Sequence, residues 1–331
     1  MRRFGASGVP ARAGLVRWAV GRYLGGMSLH PFASSTLRRV SGALADPGAP
    51  ADLVIELPHG ATRTADYDAT RARLRGSYAT NLVDFFHVNT DVGSPELADA
   101  VAAALVAASP KRKVAILQSR IPRTFIDCNR VIDADPAAFR EGKVTPGVPP
   151  WVTHPEDLAF LRAIHAAYVD EARAVVDTTC AAGGRALFLH TYAPRSVDVQ
   201  VDDDIVAALH AAYAPDKADT WPLRPEVDLI GRTLAGELRV EQALVDDLVA
   251  SYAAIGVTVA DGRTYPLHPS TWAYHHAERW PKSALCLEIR RDLVADPWDP
   301  FAEMHIGADK AARMAAPLAA VIGRWLERPS S

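Results

Sequence analysis

Three side chains in this sequence stand where an apolar run breaks into polar residues, and their types are those of metal and acid–base chemistry. His190 closes the run LFLH, with Thr191 and Tyr192 after it. His59 follows DLVIELP in the same way, with Gly60 next, and Glu288 is the lone carboxylate within ALCLEI. Each run reads as a buried strand that delivers its polar residue to the rim of a sheet. A catalytic zinc needs about three nitrogen or oxygen ligands from the protein and an open position, and histidine is the commonest ligand. His59 and His190 fit two of those places. Taken singly, either histidine reads equally well as a hydrogen-bonded structural residue; their shared setting is what favours a metal.

The elements that must position these residues alternate along the chain. The strand at 52–58 is followed by a polar, mostly helical stretch to about residue 80. Ser94-Pro95-Glu96 then opens an Ala-rich helix that stops at Ser109-Pro110. KVAILQ, from Lys113, is the next strand, and a helix from about Pro155 to Ala181 ends at Gly183-Gly184, where the LFLH strand begins. Short strands are expected in RPEVDLIGRT and VTVADG, with helices near 239–254 and 301–327. PRSVDVQVDDDI alternates like a strand before an acidic turn, and 264–282 is a loop rich in aromatics and histidines. This order predicts an α/β fold: a mostly parallel, mixed sheet with helices on both faces. Residues 1–50 read as a basic amino-terminal extension and linker, and 51–331 as a single α/β domain.

Composition narrows the function classes. A chain of 331 residues with 49% hydrophobic content can bury a large core, and a formal net charge of -3 gives no global attraction to nucleic acid or anionic lipid. No stretch is continuous and apolar enough for a secretory signal or a membrane span; the basic, loosely amphipathic first residues read as a partly disordered or surface-packed extension. Three cysteines without C-x-x-C spacing suit a reduced, cytoplasmic protein. No G-x-S-x-G elbow is present, which leaves a serine hydrolase without support. Small-molecule chemistry is the expectation.

Several short motifs, in order, resemble the N-formylglutamate amidohydrolase family, which is similar in fold to the zinc carboxypeptidases and related deacylases (phosphorylase/hydrolase-like). They are Pro58-His59-Gly60, Thr90-Asp91 opening a helix, IDCNR at 126–130, LHTY around His190, and EIRRDL at 288–293. IDCNR is the most specific, since it also looks like the D-x-N-R segment of zinc carboxypeptidases. The resemblance implies one Zn2+ per chain held by His59, Asp91 and His190, with Glu96 in reserve for the carboxylate. Thr62 stands where carboxypeptidases place their glutamate ligand. Glu288 takes the role of general base toward the water that the metal activates. Asn129 and Arg130 match the pair that holds a substrate carboxylate, with Arg123 as a second positive group and Asp127 as a partner that orients Arg130. A structural ion-pair network is the other reading of these arginines. The implied activity is hydrolysis of an N-acyl, N-formyl-amino-acid-like amide bearing a carboxylate; the alternative is a member that has lost turnover and binds a carboxylate ligand or a partner protein. Gly60 in place of the family's serine, Phe188-Leu189 before His190, and the aromatic loop in place of a Gly-rich one are departures that bear on recognition of formylglutamate itself. His268, His275 or His276 of that loop could assist catalysis, although paired histidines on an aromatic loop also read as packing residues.

Overall fold

The computed structural model describes residues 14–16, 32–135, 137 and 145–328. Its strands are β1 (Gly14–Val16), β2 (Ser35–Ser41), β3 (Leu53–Leu57), β4 (Lys113–Ser119), β5 (Arg185–Tyr192), β6 (Val227–Leu229), β7 (Val259–Asp261) and β8 (Ala284–Arg290). They form one eight-stranded sheet in the order β1-β2-β4-β3-β5-β8-β6-β7. β4, β3, β5 and β8 run parallel at its centre, β2 and β6 pair antiparallel on either side, and β7 runs parallel to β6. The sheet is therefore mixed with a parallel core, as the sequence predicts.

The reason is visible in the strands themselves. LVIEL, KVAILQS and RALFLHTY are buried at every position, which requires cover on both faces. Alternate side chains split between two cores. Leu53, Ile55 and Leu57 pack with α3 (Ser94–Ala108), α6 (Gln242–Ala253) and α8 (Ala308–Trp325) on one face. Val54, Ala186, Phe188 and Cys286 pack on the other with α1 (Thr64–Arg71), α2 (Leu82–Asn89), α4 (Pro155–Ala181), α5 (Ile205–Ala212) and α7 (Trp272–Arg279). This two-residue period decides which face of the sheet receives the chemistry. His190 and Glu288 share the parity of Phe188 and Cys286, so both belong to the second face, at the carboxyl ends of the parallel strands.

Four elements depart from the sequence reading. β2 lies inside 1–50, where an extension and linker are expected; it pairs along the whole of β4, from Ser35 opposite Ser119 to Ser41 opposite Lys113. Its pattern STLRRVS buries Leu37 and leaves polar groups outward, which locally looks like a surface segment. The rest of the basic stretch, apart from 14–16, lies outside the described residues. Helices α2 and α5 are short, eight residues each, and two turns give too brief a period to read. α7 occupies the aromatic loop: the Thr271 hydroxyl accepts from the Tyr274 backbone N–H, an N-cap hidden among aromatics. In the polar stretch from residue 60 to about 80, expected to be mostly helical, regular helix is confined to α1. Among the described residues no helix is long and apolar enough to cross a membrane.

Candidate functional site

The carboxyl end of β3 turns sharply into His59. Gly60 is needed there because a Cβ would meet the Gln118 side chain at 2.6 Å, and Gln118 Nε2 donates to the Gly60 carbonyl instead. Gln118 thus fills the space that a serine at position 60 would claim. The next turn is pinned by the connection between α2 and α3, since Thr90 Oγ1 donates to the Ala61 carbonyl at 2.6 Å. Asp91 follows at once. Gly93, at φ +87°, then turns the chain into α3 at a point where Val294 leaves no room for a side chain. β5 is clamped to the same turn by Thr191 Oγ1 donating to the Val92 carbonyl at 2.7 Å. Two backbone ties therefore place Asp91 between His59 and His190.

The result is a compact, buried trio. Asp91 Oδ2 lies 3.2 Å from His59 Nδ1 and 2.9 Å from His190 Nδ1, and these ligand-type atoms all fall within 4.8 Å of one another. A tetrahedral zinc with bonds of roughly 2.0–2.2 Å sets its ligands about 3.3–3.6 Å apart, so the donor set and its spacing fit a divalent ion with small adjustment. Glu96, the reserve carboxylate, is elsewhere: it pairs with Arg63. Thr62 is buried and outside the trio.

Behind the trio, Asp127 Oδ1 accepts from His59 Nε2 at 2.7 Å. A carboxylate there holds the proton on Nε2 and leaves the Nδ1 lone pair for a metal, the carboxylate–histidine arrangement common behind zinc ligands. Asp127 Oδ2 meets Arg123 at 2.9 Å and Arg130 at 3.6 Å. Asp127 therefore pairs with both arginines, where a partnership with Arg130 alone was expected, and its contact with His59 was not foreseen. Only tertiary structure reveals that contact, because the two residues are 68 positions apart.

Electrostatics separate the acids by environment. Burial pushes Asp91 up, but His59 and His190 outweigh it and hold the carboxyl well below its usual range. For His190 the signs reverse: burial lowers it, while the bond to Asp91 raises it well above its ordinary value. Glu288 is the parallel-strand neighbour of His190. Its Oε2 is shielded and has no hydrogen-bond partner, and burial raises it to about 7 against the pull of His190. β3 carries a further buried carboxylate that the sequence reading passed over. Glu56 accepts from the Tyr168 hydroxyl, and burial raises it to about 7.

His59, Asp91, His190 and Glu288 line a cavity of about 310 Å³, together with Asn129, Arg130 and Arg123. Asn129 Oδ1 accepts from the Ala273 N–H at 3.3 Å, and Arg130 Nε donates to the Thr145 carbonyl at 3.2 Å. Both arginines thus combine structural bonds with cavity exposure. Three more cavity arginines, Arg195, Arg224 and Arg291, had no assigned role, and Arg195 pairs with Asp219. Arg291, in the EIRRDL motif, donates to the Thr191 carbonyl and lies 3.6 Å from Asp91; its place directly after β8 was a usable signal. Arg224, held by Ser196, Ala193 and Tyr265, opens the run RPEVDLIGRT, whose strand pattern carries no sign of a cavity role for it. Of the loop histidines, none lines the cavity: His268 is buried beside Ser270, His275 meets the Pro269 carbonyl, and His276 stacks on Phe188.

Comparison with known proteins bears on family and fold. The family model described as N-formylglutamate amidohydrolase matches residues 51–295, which include every residue of the trio as well as Glu288. An N-formylglutamate amidohydrolase structure from Ralstonia eutropha JMP134 is 18% identical, covers 89% of this chain and 97% of its own, and superposes with a TM-score of 0.51. The likeness to a metallo-carboxypeptidase from Burkholderia cenocepacia is weaker, at 14% identity and a TM-score of 0.38 over 95% of this chain and 65% of that one. No curated protein is matched. The Ralstonia structure shows the shared fold and the family match spans most of the chain, so this protein belongs to the N-formylglutamate amidohydrolase family.

Proposed function

We propose that the protein is a zinc-dependent amidohydrolase that cleaves the amide of a small, carboxylate-bearing N-acyl amino acid resembling an N-formyl amino acid. One observation carries the reading: two imidazole Nδ1 atoms converge on one Asp91 oxygen at the floor of a cavity, with the Glu288 carboxylate as next-strand neighbour. His59, His190 and Asp91 would hold the ion, with Asp127 fixing the His59 tautomer. When bound, such an ion polarises a carbonyl and acidifies a water.

Glu288 supplies the proton transfer. A carboxylate raised to about 7 by burial is matched to accepting a proton from the attacking water near neutral pH and passing it to the nitrogen of the leaving amine. Asn129 and Arg130 receive the substrate carboxylate, and Arg123 adds positive charge on the same wall. The free, buried state of Cys128, Cys180 and Cys286 supports our assignment to a reducing, cytoplasmic setting.

The test joins metal analysis to a hydrolysis screen. We expect about one zinc per chain, lost in His59→Ala and kept in His268→Ala, and turnover of one or more N-formyl, N-acetyl or N-succinyl amino acids. A protein that takes up no divalent ion, and hydrolyses none of these with zinc supplied, would refute the proposal.

A further inference from the structure

The cavity has a second wall that the chemistry above does not use. Val197, Val199 and Val201 line it, and Ile205 and Leu209 of α5 and Phe85 of α2 continue the same surface. These six side chains carry no hydrogen-bonding group. The valines belong to a segment outside the sheet in which exposure alternates: 197, 199 and 201 are half-buried toward the second core, while Asp198 and Gln200 are exposed. In an alternating stretch, a shift of one residue would exchange the two sets, turning a carboxylate inward and the valines out. The segment is also held in place: Arg224 donates to Ala193 O and to Ser196 Oγ, just before the valines begin. The loop that departs from the family pattern adds to this character with Pro266, Leu267 and Ala273.

A wall of this kind discriminates by chemistry. An alkyl group laid against these six side chains leaves water at no polar cost, whereas a second carboxylate seated on them loses hydration unless it turns away toward Arg195, Arg224 or Arg291 elsewhere in the cavity. We propose that the preferred substrate carries one carboxylate and one apolar group of about four or more carbons, the apolar group being seated on the Val197–Val201 and α5 wall. A substrate ending in a second carboxylate, as glutamate does, is disfavoured there. This inference rests on the hydrolase reading above for its activity assays, and it makes a separate claim about ligand class.

Two substrate series test it and locate the apolar group. In the first, the formyl group is constant and the side chain lengthens from N-formylglycine to N-formylleucine, with N-formylglutamate as the polar comparison. In the second, glycine is constant and the acyl group lengthens from formyl to hexanoyl. We expect kcat/KM to rise about fourfold per methylene in one series, reaching ~10²-fold, and N-formylglutamate to fall below N-formylleucine. The series that rises shows which half of the substrate meets the wall. In the variants Val199→Thr, which keeps the shape, and Val199→Asp, the advantage of the longest over the shortest member should shrink, more in Asp. A readout independent of turnover is calorimetric binding of 4-methylpentanoate against glutarate to the metal-loaded protein, where the former should bind about tenfold tighter. If N-formylglutamate is the best substrate, or glutarate binds as tightly as 4-methylpentanoate, the inference is overturned while the hydrolase stands. If no N-acyl amino acid turns over, the hydrolase reading fails, and the two ligands still decide this one.

Discussion

Asp127→Asn isolates the part of the candidate metal centre that only the tertiary contacts reveal. Asp127 is 1% exposed, and one of its oxygens lies 2.7 Å from His59 Nε2 while the other lies 2.9 Å from Arg123. An asparagine keeps the shape but has one acceptor for these two donors. If its oxygen faces His59, its NH2 group confronts Arg123. If it flips, the NH2 group confronts Nε2–H, which favours the tautomer with the proton on Nδ1, the atom that must bind the ion. Either orientation weakens the site. Loss of such a supporting carboxylate typically costs ~10–100-fold in metal affinity, or about 1.4–2.7 kcal/mol. The upper end is expected here, because Arg123 and Arg130 also lose their shared counter-charge beside a dication. The assay is zinc titration in competition with a chromophoric chelator, with thermal unfolding of the ion-free proteins alongside to separate affinity from folding. An affinity within about threefold of wild type, in a variant that remains folded, would mean that Asp127 serves the arginines alone, and the second-layer argument would be wrong.

Three further outcomes are expected. Glu288→Gln should retain zinc yet lose kcat by ~10²–10⁴-fold, since a positioned proton acceptor is removed; undiminished turnover would take Glu288 out of the mechanism. Arg130→Ala should raise KM for carboxylate-bearing substrates more than for their amides, and an equal rise for both would assign it to the ion-pair network instead. His276 gives a pH dependence: burial lowers its pKa from 6.5 to about 4, with Asp177 pulling weakly the other way. The unfolded chain therefore binds this proton first, so the neutral imidazole's contribution is complete above pH 6.5 and is lost as pH falls toward 4, by ~3 kcal/mol. His276→Phe, which can keep the stacking on Phe188, should flatten that part of a urea-denaturation profile measured across the range; an unchanged slope would show that other groups carry it.

What the chain reveals without coordinates is what repeats locally. Continuous apolar runs bounded by turns announce β3, β4, β5 and β8, because strands buried on both faces need no partner to be recognised as such. His59, His190 and Glu288 are legible for the same reason: each is a polar residue at or near the end of such a run. β2, α2, α5 and α7 are not, since their stability comes from what covers them rather than from their own pattern. The choice between Asp91 and Glu96 was likewise open in the sequence. Both open the same helix, and only the ties from Thr90 to Ala61 and from Thr191 to Val92 place the first between two imidazoles while the second turns to Arg63. The apolar wall is the extreme case, assembled from α2, α5 and an unpaired segment more than a hundred residues away from α2 along the chain. Local sequence determined which residues could do chemistry; long-range packing decided which of them meet and what substrate surface surrounds them, because distances between distant segments are set by the core and not by the segments themselves.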